Sequence, residues 1–275
     1  MNKEAELPSL DHITMAHRNL VYEPSDDTFL LCDALAQEIP RFTCIDNNSS
    51  NNTNSNNNSN SISNNDSIDF PQVCLEVGSG SGCVITYLAM ELTRVTKTSM
   101  ASRHFVATDI NPDACKLTQL TSKCNGVPVD VIRTRFAEGV PGIHGNVDVL
   151  IFNPPYVPTD DHDESIKNNK DGGGGGGGGG DGEEYTATRS QIEMSGCGIS
   201  VSWAGGTDGR EVIDKFLPLI PQLLSEQGIC YMVLVIENKP NDVASILKNQ
   251  YKLKSKIVLR KRSLNEDLMI MKITR

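Results

Sequence analysis

VCLEVGSGSG, at residues 73–82, is the stretch of this chain that decides the fold. Its first half is a short, nearly continuous apolar run that ends at Gly78, a pattern typical of a buried strand. Three glycines then stand at alternate positions, and residues 83–92 have apolar side chains at helical spacing. A strand that turns on glycines into a helix lets backbone N–H groups come close to a ligand.

The rest of the chain repeats this alternation of strand and helix, which predicts an α/β fold with a mostly parallel sheet covered by helices on both faces. In such sheets the ligand lies beyond the C-terminal ends of the strands. The predicted strands after the first are 104–108, 129–132, 147–152 and 229–236; the predicted helices are 83–92, 111–123, 210–224 and 243–249; and a closing hairpin is predicted from 256–260 and 268–273.

The glycine turn predicts a nucleoside cofactor. Its spacing is Gly-x-Gly-x-Gly, and Cys83 stands where a dinucleotide-binding turn would have its third glycine. The observed form is typical of sites for the methionine end of S-adenosylmethionine, with a plain tight turn as the alternative. Asp109, at the end of the second strand, suits a ribose hydroxyl, although it could instead cap the next helix.

Asn153-Pro154-Pro155-Tyr156 follows the strand predicted at 147–152 and is the most specific motif in the chain. Proline cannot donate to a sheet, so the strand stops here, and the proline carbonyls can accept hydrogen bonds. The asparagine amide can both accept and donate, and the tyrosine offers a flat ring with a polar tip. These groups could orient a planar NH2 group for methylation, a reaction in which positioning and electrostatics supply most of the rate. Adenine, cytosine and glutamine all fit the motif, and a rigid loop without chemistry remains the alternative.

Composition limits the possible partners and compartments. The 275-residue chain has a formal net charge of −10, which argues against nucleic acid as the main partner. We interpret the basic cluster Arg260-Lys261-Arg262 as a solvated hairpin end. The first residues lack the apolar core of a signal peptide and no apolar run is long enough to span a bilayer, so we expect a cytoplasmic protein, with a nuclear pool possible. The eight cysteines form no Cys-x-x-Cys pair, so no metal site is expected.

Two low-complexity tracts divide the chain. Residues 46–69 form an Asn/Ser tract that is nearly all Asn and Ser from Asn47 to Asn65, and a Gly-rich insertion occupies about 160–198. Neither can bury enough apolar surface to offset its ordering entropy, so we expect both to be disordered. The organisation expected is therefore an N-terminal segment, 1–45, and a main domain, 70–275.

The chain resembles the HemK-type protein-(glutamine-N5) methyltransferases, and within them the eukaryotic branch that modifies the class 1 translation release factor. The likeness covers nearly the whole chain outside the two tracts. It is carried by Tyr22-Glu23-Pro24 and the residues that follow to 31, by 75–82, by 108–112, by 152–157 and by 203–211.

The resemblance implies a seven-stranded, Rossmann-like class I S-adenosylmethionine-dependent methyltransferase fold whose last strand is antiparallel, with 1–45 carrying a cofactor-capping motif. It implies methylation of the glutamine in the release factor's Gly-Gly-Gln loop. It also implies a small zinc-binding methyltransferase activator subunit as partner, docked along the edge strand from Val129 to Arg133. The implied cofactor contacts come from Thr28, Glu76, Gly78, Gly80, Asp109 and Asn153, and the implied substrate contacts from Asn153, Pro154, Pro155 and Tyr156.

One departure from the family bears on the adenine contact. The family usually has an acid after strand three, and Arg135 stands in its place here. Arg135 and Phe136 are therefore the candidate cofactor residues at this point, and we expect Phe136 to stack on the adenine. Three other functions remain open. A methyltransferase acting on nucleic acid would need a basic recognition segment, one acting on lysine would need help with deprotonation, and a binding module would not need the intact motifs.

Overall fold

The computed structural model describes residues 6–42, 71–95, 103–158, 205–263 and 266–275. The Asn/Ser tract at 46–69 and the Gly-rich insertion at about 160–198, both predicted to be disordered, lie outside the described residues. Trp203 and Ala204, at the start of the last stretch of resemblance, also lie outside them.

Seven strands form one sheet in the order β3-β2-β1-β4-β5-β7-β6. The neighbours from β3 to β5 are parallel, and β7 runs antiparallel to both β5 and β6. The fold prediction, a seven-stranded sheet with an antiparallel last strand, is therefore confirmed. The strands are β1 (Val73–Val77), β2 (His104–Asp109), β3 (Asp130–Arg133), β4 (Val147–Phe152), β5 (Leu224–Val235), β6 (Lys254–Arg262) and β7 (Asp267–Thr274).

Helices cover the sheet and bury its central strands, as the continuous apolar runs in those strands predict. β4 and the second half of β5 are almost wholly buried. The helices are α1 (Met15–Arg18), α2 (Asp26–Phe42), α3 (Cys83–Val95), α4 (Pro112–Cys124), α5 (Glu211–Phe216), α6 (Ile220–Leu223) and α7 (Pro240–Tyr251). No helix in the described part of the chain is both long and apolar enough to cross a membrane.

The predicted helix at 210–224 is confirmed as a helical segment up to Leu223, but it is not a continuous α-helix. α5 ends at Phe216, a 3-10 turn occupies Leu217–Leu219, and α6 is a single turn. Pro218 and Pro221 explain the break, because proline removes a helical hydrogen bond and crowds the preceding turn. Leu224, predicted as the helix end, instead begins β5 and pairs with Val147 of β4.

The N-terminal segment contributes a helix that the sequence analysis did not predict. Leu31, Leu35 and Ile39 of α2 are fully buried and belong to the same apolar core as the sheet. Two acids, Asp26 and Asp27, occupy its first turn, where their negative charge interacts favourably with the positive end of the helix dipole. The first turn of α2 lies against the end of β4, because Asp27 bonds the side chain of the residue after that strand.

The strand order also fixes where a ligand should lie. From β1 the chain winds outward through β2 to β3, and it then returns to β4 and winds the opposite way. The crevice between the C-terminal ends of β1 and β4 is therefore the topological switch point, where ligands bind in open α/β sheets. Both of the predicted motifs follow these two strands.

Candidate active site

The turn after β1 presents open backbone at this crevice. Its first two N–H groups, from Gly78 and Ser79, donate to the carbonyl of Thr108 at 2.8 and 3.1 Å. Gly80 has a φ of +53°, and a Cβ added there would meet nothing within 4 Å. The chain thus leaves space above the turn at Gly80 for a ligand to approach the backbone.

Gly82, at the end of the same turn, has a different role. A Cβ there would lie 2.7 Å from the Cα of Thr118 in α4, and the residue has a φ of +74°. This glycine therefore allows α3 and α4 to pack closely.

The Asp109 carboxylate is fixed beside the glycine turn. Its Oδ2 accepts from the Gly80 N–H at 2.9 Å and its Oδ1 from the Asn111 N–H at 2.8 Å. The residue that caps α4 is Asn111, whose side chain accepts from the Asp113 N–H at 2.9 Å, so the helix-cap alternative for Asp109 is wrong. Burial raises the pKa of the Asp109 carboxyl, although the N–H donors oppose the shift.

Glu76 places a second carboxylate at the end of β1. It is 2% exposed, and its Oε2 accepts from the Ile85 N–H of α3 at 3.0 Å. Burial raises the pKa of this carboxyl well above its usual range, and the negative charge of Asp109 adds to the shift. The position at the N-terminal end of α3 favours the charged form, because the helix dipole is positive there.

Asn153, directly after β4, has a side-chain amide in which only the nitrogen has a hydrogen-bond partner among the described residues. Its Nδ2 donates to Asp27 Oδ2 at 2.9 Å. Its Oδ1 is buried and has no hydrogen-bond partner among the described residues. Buried acceptors are almost always paired in folded proteins, so an orphaned one at a crevice indicates a site for an external donor.

Asp27 is a site residue that the sequence analysis missed. It is 3% exposed, and its Oδ1 accepts from both the N–H and the hydroxyl of Thr28, at 2.7 and 3.3 Å. Its Oδ2 accepts from Asn153 and from the Tyr156 hydroxyl, the latter at 3.2 Å. The only available signal was its position within the Tyr-Glu-Pro stretch. The Thr28 hydroxyl, predicted as a cofactor contact, accepts from the Ser25 N–H and donates to Asp27 Oδ1 in the first turn of α2.

Tyr156 closes the motif and joins two carboxylates. Its hydroxyl also lies 3.4 Å from Oε2 of Glu266, in the turn between β6 and β7. Burial and the charges of Asp27 and Glu266 raise the pKa of the Tyr156 phenol. Tyr22 faces the same cluster, and its phenol pKa is raised by burial and by Asp27. The hydroxyls therefore stay protonated and act as donors at neutral pH.

Asn238 holds the backbone of the same loop. It is wholly buried after β5, where its Nδ2 donates to the carbonyls of Tyr156 and Asp208 at 2.8 and 3.0 Å. Its Oδ1 accepts from the Val235 N–H at 2.8 Å. A Cβ on Gly209 would lie 1.8 Å from the Tyr156 carbonyl oxygen. The stretch that starts at residue 205 therefore packs directly against the Asn-Pro-Pro-Tyr loop.

Phe136 belongs to an aromatic cluster at the rim of the site. Its ring lies 6.3 Å from that of Phe152, edge to face, and 5.6 Å from that of Phe216. Arg135 is exposed, with its guanidinium carbon 5.3 Å from the centre of the Phe136 ring. Phe136 has a φ of +49°, unusual for a bulky residue. The ring remains partly exposed, so its stacking on adenine stays a prediction.

The crevice collects negative charge without local compensation. Asp27, Glu76 and Asp109 form no ion pair with any Lys or Arg among the described residues, although buried carboxylates are normally paired. S-adenosylmethionine carries a sulfonium and an ammonium group. The open backbone at Gly80 and the carboxylates around it therefore fit this cofactor.

Comparison with known proteins identifies methyltransferases that are similar to this chain over most of its length. No family model matches the chain. The chain is 31% identical to methyltransferase HEMK2 of Homo sapiens over 269 residues, covering 98% of this chain and 96% of the human protein. It is 32% identical to mouse methyltransferase HEMK2, covering 88% and 85% of the two chains. It is 28% identical to the eRF1 methyltransferase catalytic subunit mtq2 of Schizosaccharomyces pombe, covering 93% and 89%.

Among solved structures, the chain resembles that of the E. cuniculi Mtq2-Trm112 complex, which is responsible for the methylation of the eRF1 translation termination factor. The TM-score is 0.50 at 22% identity, with 93% of this chain and 98% of the other covered. The likeness supports the fold assigned from the strand order.

Proposed function

The chain belongs to the family of the HEMK2 methyltransferases, and from that premise we propose that it methylates the side-chain amide nitrogen of a glutamine, with S-adenosylmethionine as methyl donor. The substrate we propose is the glutamine of the Gly-Gly-Gln loop in the class 1 translation release factor. The names of the relatives from S. pombe and E. cuniculi, which act on eRF1, support this substrate.

The observation that carries the proposal is the unpaired Oδ1 of Asn153. A primary amide offers two N–H donors in a plane, and a buried acceptor at the switch point can take one of them. The backbone carbonyl of Pro154, which lies past the end of β4, can take the other. Two acceptors placed in this way hold the amide nitrogen in a fixed orientation, which supplies the entropic part of the rate enhancement.

The cofactor residues are proposed from the same geometry. S-adenosylmethionine, when bound, supplies an electrophilic methyl group on a positively charged sulfur. The Gly78–Gly80 backbone leaves it room, and the Asp109 carboxylate, fixed by two N–H donors, is placed to accept from ribose hydroxyls. Glu76 contributes negative charge at the end of β1, which favours a cation.

The residues around Asn153 also suit the charge that develops on the substrate. An amide nitrogen becomes more positive as it is methylated, so fixed negative charge nearby stabilises the transition state. Asp27 supplies this charge and is buried, where it acts in a low dielectric. The N–C bond forms as the S–C bond of the sulfonium breaks, and the nitrogen then loses its extra proton to water. No strong base is needed before the attack, because the amide nitrogen is uncharged at that point.

We also propose a small zinc-binding activator subunit as partner, docked on β3. β3 is the outermost strand on its side of the sheet, and Val131 and Ile132 are half-buried there. A strand edge with apolar side chains is prone to pair with another chain unless it is covered. The presence of Trm112 in the E. cuniculi complex supports a partner of this kind.

The test is methyl transfer from labelled S-adenosylmethionine, with the chain co-expressed with its activator. The acceptors are the release factor, its Gly-Gly-Gln→Gly-Gly-Arg variant and a DNA oligonucleotide. Each is assayed with wild type, with Asn153→Ala and with Asn249→Ala, a matched control at an exposed position of α7.

We expect label on the wild-type release factor alone, lost with Asn153→Ala and retained with Asn249→Ala. Equal label on the Gly-Gly-Arg variant would show that another residue accepts the methyl group. Label on the oligonucleotide would mean that the planar nitrogen belongs to a base, and the proposed substrate would then be wrong.

A further inference from the structure

The Asn153 side chain can serve an N–H donor in only one of its two amide orientations. With Oδ1 toward the acceptor site it accepts; after a 180° flip, its NH2 group would face the substrate's own N–H groups. Asp27 Oδ2, 2.9 Å from Asn153 Nδ2, can only accept when ionised. Asp27 therefore selects the productive orientation, and whatever fixes Asp27 also fixes Asn153.

The Tyr156 hydroxyl lies between two carboxylates. It is 3.2 Å from Asp27 Oδ2 and 3.4 Å from Glu266 Oε2, and it has one proton to give. The contact brings the β6–β7 hairpin, near the end of the chain, to the first turn of α2 and the loop after β4. Asp26 adds to the same junction, because it accepts from Lys261 at 3.0 Å and from Ser263 at 2.6 Å.

We propose that Glu266 is a positioning residue for methyl transfer, acting on Asn153 through Tyr156 and Asp27. Its carboxylate shares the single phenol proton with Asp27, so that the ring and the loop stay beside both acids. Its ionised carboxylate also adds to the negative charge of Asp27, which favours the positive charge that develops on the acceptor nitrogen. The inference rests on the proposed function, because it assumes a planar N–H donor at Asn153.

The charged neighbours of Glu266 define its pH dependence. The groups that face it are Asp27 of α2, Tyr156 after β4, Tyr22 before α2 and Glu237 after β5. Burial raises the pKa of the Glu266 carboxyl, and the charges of Asp27 and Glu237 add to this, while the Tyr156 hydroxyl opposes it. If the carboxylate is the active form, kcat falls as pH drops through this raised pKa, above the range of an ordinary glutamate.

The test compares Glu266→Gln, which keeps a hydrogen-bonding group of the same length, with Glu266→Asp, which keeps the charge on a shorter side chain. The control is Asp267→Asn, the next residue, which is exposed and lies 3.9 Å from Arg262. All variants are co-expressed with the activator. The readouts are kcat and KM for the release factor over a pH series, with cofactor Kd and Tm measured on the same samples.

We expect Glu266→Gln to lower kcat about tenfold, less than the 10²–10³-fold reported for direct transition-state contacts. KM, cofactor Kd and Tm should stay close to wild type, and the acidic limb of kcat should move to lower pH. Glu266→Asp should have a kcat, and a pH at which kcat falls in acid, between those of Glu266→Gln and wild type. Asp267→Asn should match wild type in both.

Wild-type kcat with an unchanged acidic limb in Glu266→Gln would overturn the inference while leaving the proposed function standing. So would a fall in kcat accompanied by equal losses of Tm and cofactor affinity, because that would show a purely structural role. Absence of release-factor methylation by wild type itself would overturn the proposed function, and the inference with it.

Discussion

Among single residues, Asp27 should have the largest effect on catalysis without touching the acceptor, because it sets the orientation of the Asn153 amide. Asp27→Asn would replace an obligate acceptor with an amide that can itself flip, so both Asn153 orientations become populated. We expect kcat to fall by about 10²-fold or more, the scale of losing one preorganised contact. Steady-state methyl transfer to the release factor measures this.

The matched control for this substitution is Asp33→Asn, an exposed acid on the same helix. It should leave kcat within experimental error of wild type. An Asp27→Asn enzyme that turned over as fast as wild type would show that the loop after β4 orients Asn153 without help from α2.

Whether a site residue could be predicted from the sequence depended on how far along the chain its partners lie. Asp109 and Asn153 were identified because each directly follows a strand, a position with meaning in any parallel sheet. Asp27 and Glu266 were missed because their partners, Asn153 and Tyr156, lie 126 and 110 residues away. Nothing in the local pattern around either acid indicates such a pairing.

At the scale of elements, the β1–α3 turn uses glycine in two ways that substitution should separate. Gly80→Ala introduces no clash, so its cost to folding should be that of a positive φ alone, about 1–2 kcal/mol. Its methyl group would, however, fill the space left for the cofactor. Gly82→Ala forces Cβ to within 2.7 Å of the Thr118 backbone, so it should destabilise the fold more strongly.

Calorimetry with S-adenosylmethionine and thermal denaturation distinguish the two effects. Gly142→Ala is the control, because Gly142 has a φ of +67° with nothing near an added Cβ, in a turn before β4. We expect Gly80→Ala to match this control in Tm but to bind cofactor at least tenfold more weakly. Equal cofactor affinity in Gly80→Ala and Gly142→Ala would show that the open face of the turn is not the binding face.

The accuracy of the predicted elements follows from how each is stabilised. β1 and β4 were predicted with the observed bounds, because buried parallel strands are continuous apolar runs ended by glycine or proline. The segment at 210–224 was predicted as one helix because its apolar spacing continues through Pro218 and Pro221, where the structure has a 3-10 turn followed by one more α-helical turn. α2 was not predicted, although Leu31, Leu35 and Ile39 have helical spacing, because the segment was interpreted through its motif alone.

Considered as a whole molecule, the chain combines its N-terminal segment and its sheet in one core. Fully burying side chains such as Leu31, Leu35 and Ile39 contributes about 1.5–3 kcal/mol each, before the entropic cost of ordering the chain is subtracted. The same helix carries Glu38, which accepts from Tyr231 at 3.1 Å and pairs with Lys272 behind the sheet. The helix that brings Asp27 to the active site is therefore anchored by the core itself.

The negative charge of the crevice should couple cofactor binding to the stability of the whole molecule. Burial holds the pKa of the Glu76 carboxyl above its unfolded value, so the folded state binds this proton more tightly than the unfolded state. That contribution to stability is present at pH below the unfolded pKa and is lost as pH rises through the folded pKa. Above the unfolded pKa, Glu76 therefore contributes less to the stability of the cofactor-free protein than it does in acid.

Glu76→Gln tests this coupling, since the amide oxygen can still accept from the Ile85 N–H while the charge is gone. We expect a higher Tm than wild type at neutral pH without cofactor, a gain that shrinks as the pH is lowered toward the unfolded pKa of a glutamate. Cofactor affinity should fall, because a cation loses a buried counter-charge. At 100 times its Kd, S-adenosylmethionine should stabilise wild type by about 2.7 kcal/mol, and the variant by clearly less at the same concentration. A variant with lower Tm at neutral pH and unchanged cofactor affinity would show that Glu76 only stabilises the N-terminal end of α3. Its negative charge would then have no role in binding a positively charged cofactor.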